Sequence, residues 1–402
     1  MIDPDLTGTD VGKLAFMHQA LAHRQQQQLG RQMRSWTAVD AVTLEGEGGP
    51  WINFSANDYM GLLKHPQVMA GACQAVARYG AGSGASRLVT GTTPLHQEVE
   101  ERLALACGRE AALLLSTGFQ ANSTILGTLI DRSGLALWDR YNHNSLIQGV
   151  LASQAPFQRF RHQDLNHLEH LLKQARHTSP PDRRVVIATE TVFSMEGDRA
   201  DVGTLVALAQ RYGAMLYVDD AHGVGVLGPG GMGLAAHQPE IEVTVGTFGK
   251  AFGSFGAFVA GSRLLRDYLV NCCPGVIYTT ALPPAVVGAI AAVLDLLPTL
   301  EPQRQALQAQ AQTLRQQIQA LGYTTDPSST HIIPIRVGEA DRALALAQHL
   351  YHRGVLALAI RPPTVPPGTA RLRLALSSAH RPEHYDLLLQ ALASWPKESR
   401  VV

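Results

Sequence analysis

The sequence predicts an α/β protein built on a mainly parallel sheet, with a smaller α+β segment after it. Two patterns carry that prediction. From about residue 57 to 290, short apolar runs end in Gly, Ser, Asp or His and alternate with helix-like stretches. The runs lack the strict alternation of a half-exposed strand, so they fit strands buried on both faces of a parallel sheet. Composition agrees: of 402 residues, 46% are hydrophobic and 16% charged, which excludes a disordered chain and allows a large core. At roughly 100–200 residues per domain, two or three structural units are expected.

Residues 1–56 read as a polar helical segment with a tract of glutamines at 25–28, ending in the Gly-rich stretch 46–50. Such a segment packs on a larger body or on a second subunit. The large domain is set at 57–290, with strands expected at 111–115, 135–139, 185–188, 215–218, 243–245 and 257–260. In a sheet of this class, ligands bind beyond the carboxyl ends of the strands. Residues 291–402 read as a smaller domain. Leu307, Ala311, Leu314, Ile318 and Leu321 recur at four-three spacing, one face of an amphipathic helix, and strand-like runs follow at 331–337, 355–360 and 372–376.

Charge and targeting signals exclude several classes. The chain has 33 basic and 33 acidic residues and a pI near 7.3, without the cationic surplus that nucleic-acid binding needs. Met1, Ile2, Asp3, Pro4 and Asp5 lack the basic and apolar regions of a signal peptide. The longest apolar run, 285–294, falls short of the roughly 20 residues that cross a bilayer. Cys73, Cys107, Cys272 and Cys273 form no CxxC pair, so they suggest neither zinc nor a disulfide framework. A cytoplasmic protein with no membrane partner is expected.

Four places where strands end hold reactive side chains. Asp219 closes one apolar run, three residues before His222. A carboxylate at the mouth of a buried strand is costly unless it is paired. The protonated ring nitrogen of pyridoxal phosphate is one partner that fits; a helix cap beside a gap-filling histidine is the plainer alternative. Lys250 follows the 243–245 run among small residues, Gly249 and Ala251. A desolvated lysine there has a lowered pKa and acts as a Schiff-base nucleophile and proton shuttle, although most lysines are solvated surface charges. The G-x-x-x-x-G-K-[ST] phosphate loop is absent, because Ala251 follows Lys250. Ser116, Thr117, Gly118 and Phe119 open a helix after the 111–115 run, where free N–H groups suit a phosphate, or make an ordinary strand-to-helix turn. His143 follows the 135–139 run and could stack on a flat heteroaromatic ring or be structural.

Together and in this order, these motifs resemble the α-oxoamine synthases, pyridoxal-phosphate enzymes of the aspartate-aminotransferase type I fold. The resemblance covers almost the whole chain. It rests on the stretches 53–62, 82–87 and 191–198, on the run from Asp219 through Gly223, and on Thr247 to Lys250. It implies a large domain with a mainly parallel seven-stranded sheet, a small carboxyl-terminal domain and a homodimer with active sites between subunits, where Ser83 could serve the partner's cofactor. The chain departs at Ala85 and Thr191, where many relatives carry glycine, and around Arg87.

The stretch 360–374, with Pro362, Pro363 and Thr364 before Arg373, is similar to members that condense L-alanine with a pimeloyl thioester, on coenzyme A or acyl carrier protein, in biotin biosynthesis. Glycine condensations with acetyl-CoA or succinyl-CoA remain the alternative within the family. A nicotinamide dehydrogenase is disfavoured, because no G-x-G-x-x-G follows the first strand. A non-catalytic protein on this fold is disfavoured by the intact reactive residues. By resemblance, Lys250 holds the cofactor and moves the substrate α-proton. Asp219 meets the pyridine nitrogen, His222 the phenolic oxygen and His143 the ring face. Gly118, Phe119, Ser194 and Thr247 take the phosphate. Arg31, Asn57 and Arg373 hold the substrate carboxylate, and Thr364 stands at the entrance.

Overall fold

The computed structural model describes residues 12–396 apart from 28, 47, 179, 181 and 182; the acidic amino terminus and Gln28 lie outside the described residues. The amino-terminal segment differs from its helical expectation. It holds one helix, α1 (Ala15–Gln26), and three short strands, β1 (Thr37–Ala38), β2 (Thr43–Gly46) and β3 (Gly49–Asn53). Gly48 and Gly49, with φ of 105° and 126°, turn β2 back onto β3, a conformation that favours glycine. Trp51 on β3 is buried, stacks on Tyr351 at 4.6 Å and donates its indole N–H to the Tyr351 carbonyl at 2.9 Å. Tertiary packing on the far end of the chain thus decides the conformation of this stretch.

Helices α2 (Pro66–Tyr79) and α3 (Pro94–Cys107) lead into the large sheet. In chain order its elements are β4 (Ala111–Leu115), α4 (Gly118–Leu129), β5 (Leu135–Asp139), α5 (Asn144–Ser153), β6 (Phe157–Phe160), α6 (Leu165–Thr178), β7 (Val185–Glu190), α7 (Val202–Arg211), β8 (Met215–Asp219), β9 (Val243–Thr247) and β10 (Ala257–Gly261). The seven strands lie in the order β4-β10-β9-β8-β7-β5-β6. Pairings from β6 through β9 are parallel, and β10 runs antiparallel to both β4 and β9. The connection 248–256 is too short for the dozen or more residues of a parallel crossover, so β10 returns as a hairpin arm. This hairpin fixes Lys250 in a tight loop at the sheet's carboxyl edge.

After β10 come α8 (Arg263–Cys272), α9 (Pro274–Ile277), α10 (Pro284–Leu296) and α11 (Glu301–Ala320). Leu307, Ala311, Leu314 and Ile318 of α11 are all buried, as their spacing predicts. A 3-10 turn, Leu297–Leu300, joins α10 to α11, and Pro284–Ala320 as a whole is long and apolar enough to cross a membrane by length and composition. Its larger aliphatic side chains are nonetheless mainly turned into the protein, with Val287, Ile290 and Val293 of α10 fully buried.

The remaining elements are β11 (Ile332–Gly338), α12 (Ala340–Tyr351), β12 (Val355–Leu356), β13 (Ala359–Ile360), β14 (Ala370–Ala375) and α13 (Pro382–Ala393). The single strand expected at 355–360 splits between two sheets. β12 pairs parallel with β3, whereas β13 joins the antiparallel sheet β11-β14-β13. Arg373, on β14, reaches back toward the edge of the large sheet.

Helices α2 and α10 touch through glycine. A Cβ built on Gly288 would lie 2.4 Å from the Gly71 carbonyl oxygen and 2.5 Å from Ala75 Cβ. Gly288→Val therefore has to push the helices apart and is expected to lower unfolding stability by about 1–3 kcal/mol, measured by urea denaturation. Wild-type stability in that variant would contradict this close packing.

Candidate active site

Five strands, β4, β5, β7, β8 and β9, deliver their carboxyl ends to one edge. Gly118, Phe119, His143, Ser194, Asp219, His222, Thr247 and Lys250 lie on or just after one of them, whereas Asn57 follows β3. Lys250 Nζ stands 2.8 Å from His222 Nε2. His222 Nδ1 lies 2.7 Å from the Tyr59 hydroxyl, which donates to Asn57 Oδ1 at 2.9 Å and accepts from Arg373 Nη2 at 3.1 Å. Arg373 Nη1 donates to the same Asn57 oxygen at 3.1 Å. Donor bookkeeping fixes the directions. While Lys250 is protonated it only donates, so Nε2 of His222 accepts and Nδ1 carries the proton toward Tyr59. His222 is thus a neutral imidazole. Burial, followed by the charges of Lys250 and Arg373, holds its pKa well below the usual value.

Burial likewise lowers the Lys250 ammonium to about 8, although the Asp219 and Glu190 carboxylates favour its charged form. A lysine so placed yields its neutral, nucleophilic amine at a far lower pH than an ordinary lysine does.

Asp219 ends β8 and is buried. Its Oδ1 accepts from the Ala221 N–H at 2.9 Å and its Oδ2 from Asn122 Nδ2 at 2.6 Å. Asn122 also donates to Ser145 Oγ at 2.9 Å and accepts the Tyr217 hydroxyl at 2.9 Å; Ser145 Oγ in turn meets His143 Nδ1 at 2.8 Å. No Lys or Arg forms an ion pair with Asp219 among the described residues. Only neutral donors hold this buried carboxylate, a setting that suits a cationic ring nitrogen. Beside it, Glu190 accepts the His143 backbone N–H at 2.5 Å. Burial and then the charge of Asp219 raise Glu190 well above the usual carboxyl range.

Of the four phosphate candidates, Gly118, Phe119 and Thr247 lie together at the start of α4. Thr117 caps the helix by accepting from the Gln120 N–H at 3.0 Å, which leaves the N–H groups of Gly118 and Phe119 without intrahelical acceptors. A Cβ on Gly118 would lie 3.8 Å from Thr247 Cβ, so bare backbone faces that hydroxyl residue. Ser194 is buried, and its carbonyl accepts Arg373 Nε at 2.5 Å. The donor set therefore fits a phosphorylated aromatic aldehyde: helix-end N–H groups for the phosphate, a carboxylate for a ring cation and a low-pKa lysine for the carbonyl carbon.

Two substrate candidates stand apart from this network. Arg31 Nη2 meets Thr364 Oγ1 at 3.5 Å on the exposed surface, and Arg361 Nη2 donates to the Gly30 carbonyl at 3.2 Å. Ser83 donates to the Leu282 carbonyl at 2.6 Å, outside the hydrogen bonds traced above. Thr191, in place of glycine, donates its hydroxyl to buried Asp220, and burial lifts that carboxyl to about 7. Sequence reasoning missed Tyr59, Asn122, Ser145 and Glu190. Tyr59 lay inside a quoted motif; Asn122 is one helical turn past Gly118; Glu190 is a charge that extends an apolar run.

A family model described as aminotransferase class I and II matches residues 49–392. The chain belongs to the aminotransferase class I and II family. Its similarities place it on the α-oxoamine synthase branch of that family. It is 50% identical over 390 residues to an 8-amino-7-oxononanoate synthase of Gluconacetobacter diazotrophicus, covering 95% of this chain and 97% of that protein. Among solved structures, a serine palmitoyltransferase variant from S. paucimobilis with a bound PLP–myriocin aldimine superposes with a TM-score of 0.89 at 28% identity, over 95% of this chain and 98% of that one. An 8-amino-7-oxononanoate synthase from Francisella tularensis gives 0.74 at 28% identity, over 85% and 97% of the two chains.

The lowered pKa of Lys250 has a direct readout. In the cofactor-free protein, labelling of Lys250 by an amine reagent, mapped by mass spectrometry, should rise with pH to half its maximum near pH 8, against 10.5 for an ordinary lysine. A midpoint near 10.5 would contradict the desolvated setting.

Proposed function

We propose that this protein catalyses the decarboxylative condensation of L-alanine with a pimeloyl thioester, on coenzyme A or acyl carrier protein, to give 8-amino-7-oxononanoate, carbon dioxide and free thiol. The observation that carries this reading is the continuous hydrogen-bonded chain from Lys250 through His222 and Tyr59 to Arg373 and Asn57. It supports a proton-transfer role for the amine at one end and carboxylate binding by the guanidinium at the other, as an amino-acid substrate requires. The likeness to named 8-amino-7-oxononanoate synthases supports the choice of acyl partner.

Pyridoxal 5′-phosphate, when bound, supplies the electron sink that makes the α-carbon of the amino acid acidic. Lys250 would tether it, Asp219 would face its ring nitrogen, His222 its phenolic oxygen and His143 its ring face. Gly118, Phe119, Ser194 and Thr247 would hold its phosphate. Arg373, with Asn57, orients the alanine carboxylate by two N–H donors on one planar fork. Arg31 and Thr364, joined at the surface, guard the entrance taken by the acyl chain. The amine of Lys250, neutral above about pH 8, accepts the α-proton and later returns it to the same carbon. Between those transfers the α-carbon bonds to the thioester carbonyl, the thiolate leaves, and the alanine carboxylate departs as carbon dioxide. The donors around the site are held in place by one another's hydrogen bonds and so need little reorganisation during the reaction.

In this reading, residues 57–290 form the cofactor domain and 291–402 the domain that supplies Arg373, with 1–56 as an arm. The active protein is a cytoplasmic homodimer in which Ser83 lies toward the second subunit.

Thiol release by the cofactor-loaded protein tests the assignment. L-Alanine with pimeloyl-CoA should outpace glycine with acetyl-CoA or succinyl-CoA. Preference for a glycine pair would overturn the acyl assignment. Lys250→Ala should lose all turnover and the long-wavelength absorbance of the lysine-bound cofactor; retained turnover would sink the role given to Lys250.

A further inference from the structure

His162 lies in the loop between β6 and α6, outside every role assigned above. Its Nδ1 stands 2.9 Å from Asp139 Oδ1 and its Nε2 stands 3.0 Å from Asp198 Oδ2. Both carboxylates are buried, and the imidazole is mostly enclosed. A neutral imidazole has one N–H and cannot donate to both acids, so two ring nitrogens on two carboxylates require the imidazolium. The ring is held edge-on against Phe193 at 4.5 Å and lies 4.6 Å from Tyr141.

The two acids belong to different parts of the active site. Asp139 ends β5, and its Oδ1 accepts the Tyr141 N–H at 2.8 Å at the start of the turn that leads to His143. Asp198 closes the 191–199 loop, where its carbonyl accepts the Phe193 N–H at 3.1 Å and the Phe193 carbonyl accepts the Gly197 N–H at 2.8 Å. Ser194 sits within that loop with its carbonyl on Arg373 Nε. Glu196 of the same loop pairs with buried Arg371 at 2.9 Å. His162 and Arg371 therefore both hold one loop, and the Ser194 carbonyl of that loop is one of the acceptors that orient the Arg373 guanidinium.

We propose that His162 is a positioning residue of the active site: an imidazolium clamp between Asp139 and Asp198 that fixes the 191–199 loop and, through Ser194, the carboxylate-binding Arg373. Burial disfavours the charge, but the hydrogen bonds and charges of Asp139 and Asp198 outweigh it and raise the imidazole to about 9. The other groups that face it are Tyr141 after β5, Glu196 in the loop and Arg371 of β14 behind Glu196; Arg161 and Asp164, on its own loop, pair with each other at the surface. Because the folded pKa exceeds the ordinary 6.5, the clamp's stability is fully present below pH 6.5 and is lost as pH rises through about 9.

The test compares wild-type, His162→Gln and Asp198→Asn proteins. In the cofactor-loaded form, KM for L-alanine should rise about ten-fold in His162→Gln, with kcat within about two-fold, and by less in Asp198→Asn, which leaves Asp139 bonded. In the cofactor-free form, the wild-type advantage in Tm over His162→Gln should narrow from about pH 7 to about pH 10. An unchanged KM in His162→Gln overturns the proposal, as does a Tm gap that persists to the alkaline end. Should His162→Gln not fold, an unchanged KM in Asp198→Asn overturns it instead. The inference rests on the reaction proposed above; a wild-type protein that does not turn over L-alanine would defeat that reading, while the alkaline stability of the cofactor-free protein still tests the clamp.

Discussion

One phenol joins the two halves of the active site. The Tyr59 hydroxyl touches His222, Asn57 and Arg373, and through His222 it reaches Lys250. Those residues come from a loop after β3, the carboxyl edge of β8, the β9–β10 hairpin and β14, four places that no local sequence rule brings together. Tyr59 is fully buried, and burial raises its hydroxyl above the ordinary value despite the neighbouring Arg373. The phenol therefore stays a neutral relay, donating one proton and accepting from two sides. A buried polar network of this kind is favourable only when each member is satisfied, which makes it rigid and gives it a single arrangement.

The scaffold explains why that arrangement can persist. Parallel strands bring Asp139, Glu190 and Asp219 to one edge, so three carboxylates crowd a small region. Each is stabilised differently. Asp139 has the His162 cation, Asp219 has neutral donors from Asn122 and the backbone, and Glu190 is pushed toward its neutral acid by burial and by Asp219. Distinct environments for chemically similar groups are how one edge of a sheet supports several roles. The Arg371–Glu196 pair is buried on both sides, and losing either partner would strand a charge in the interior.

Much of this was legible in the sequence because strand ends are punctuated. Asp219, Thr247 and Lys250 each follow an apolar run, and the runs themselves became β8 and β9 with little change at their edges. The family resemblance added the roles that spacing could not assign. What stayed hidden depends on long-range contact. Strands β1 to β3 are too short and too polar to announce themselves, and β3 is fixed by Trp51 on Tyr351, far along the chain. The 355–360 run looked like one strand because nothing local shows that its two ends join different sheets. Asn122 read as an ordinary helix residue, since only the fold turns it toward Asp219.

A double-mutant cycle with Tyr59→Phe and His222→Asn, read as kcat/KM for L-alanine, tests the central role of the phenol. If Tyr59 acts through His222 and Arg373 as one unit, the double variant will be no worse than the poorer single variant. Fully additive losses would mean that the two residues act independently, and the relay from Lys250 to Arg373 would not exist.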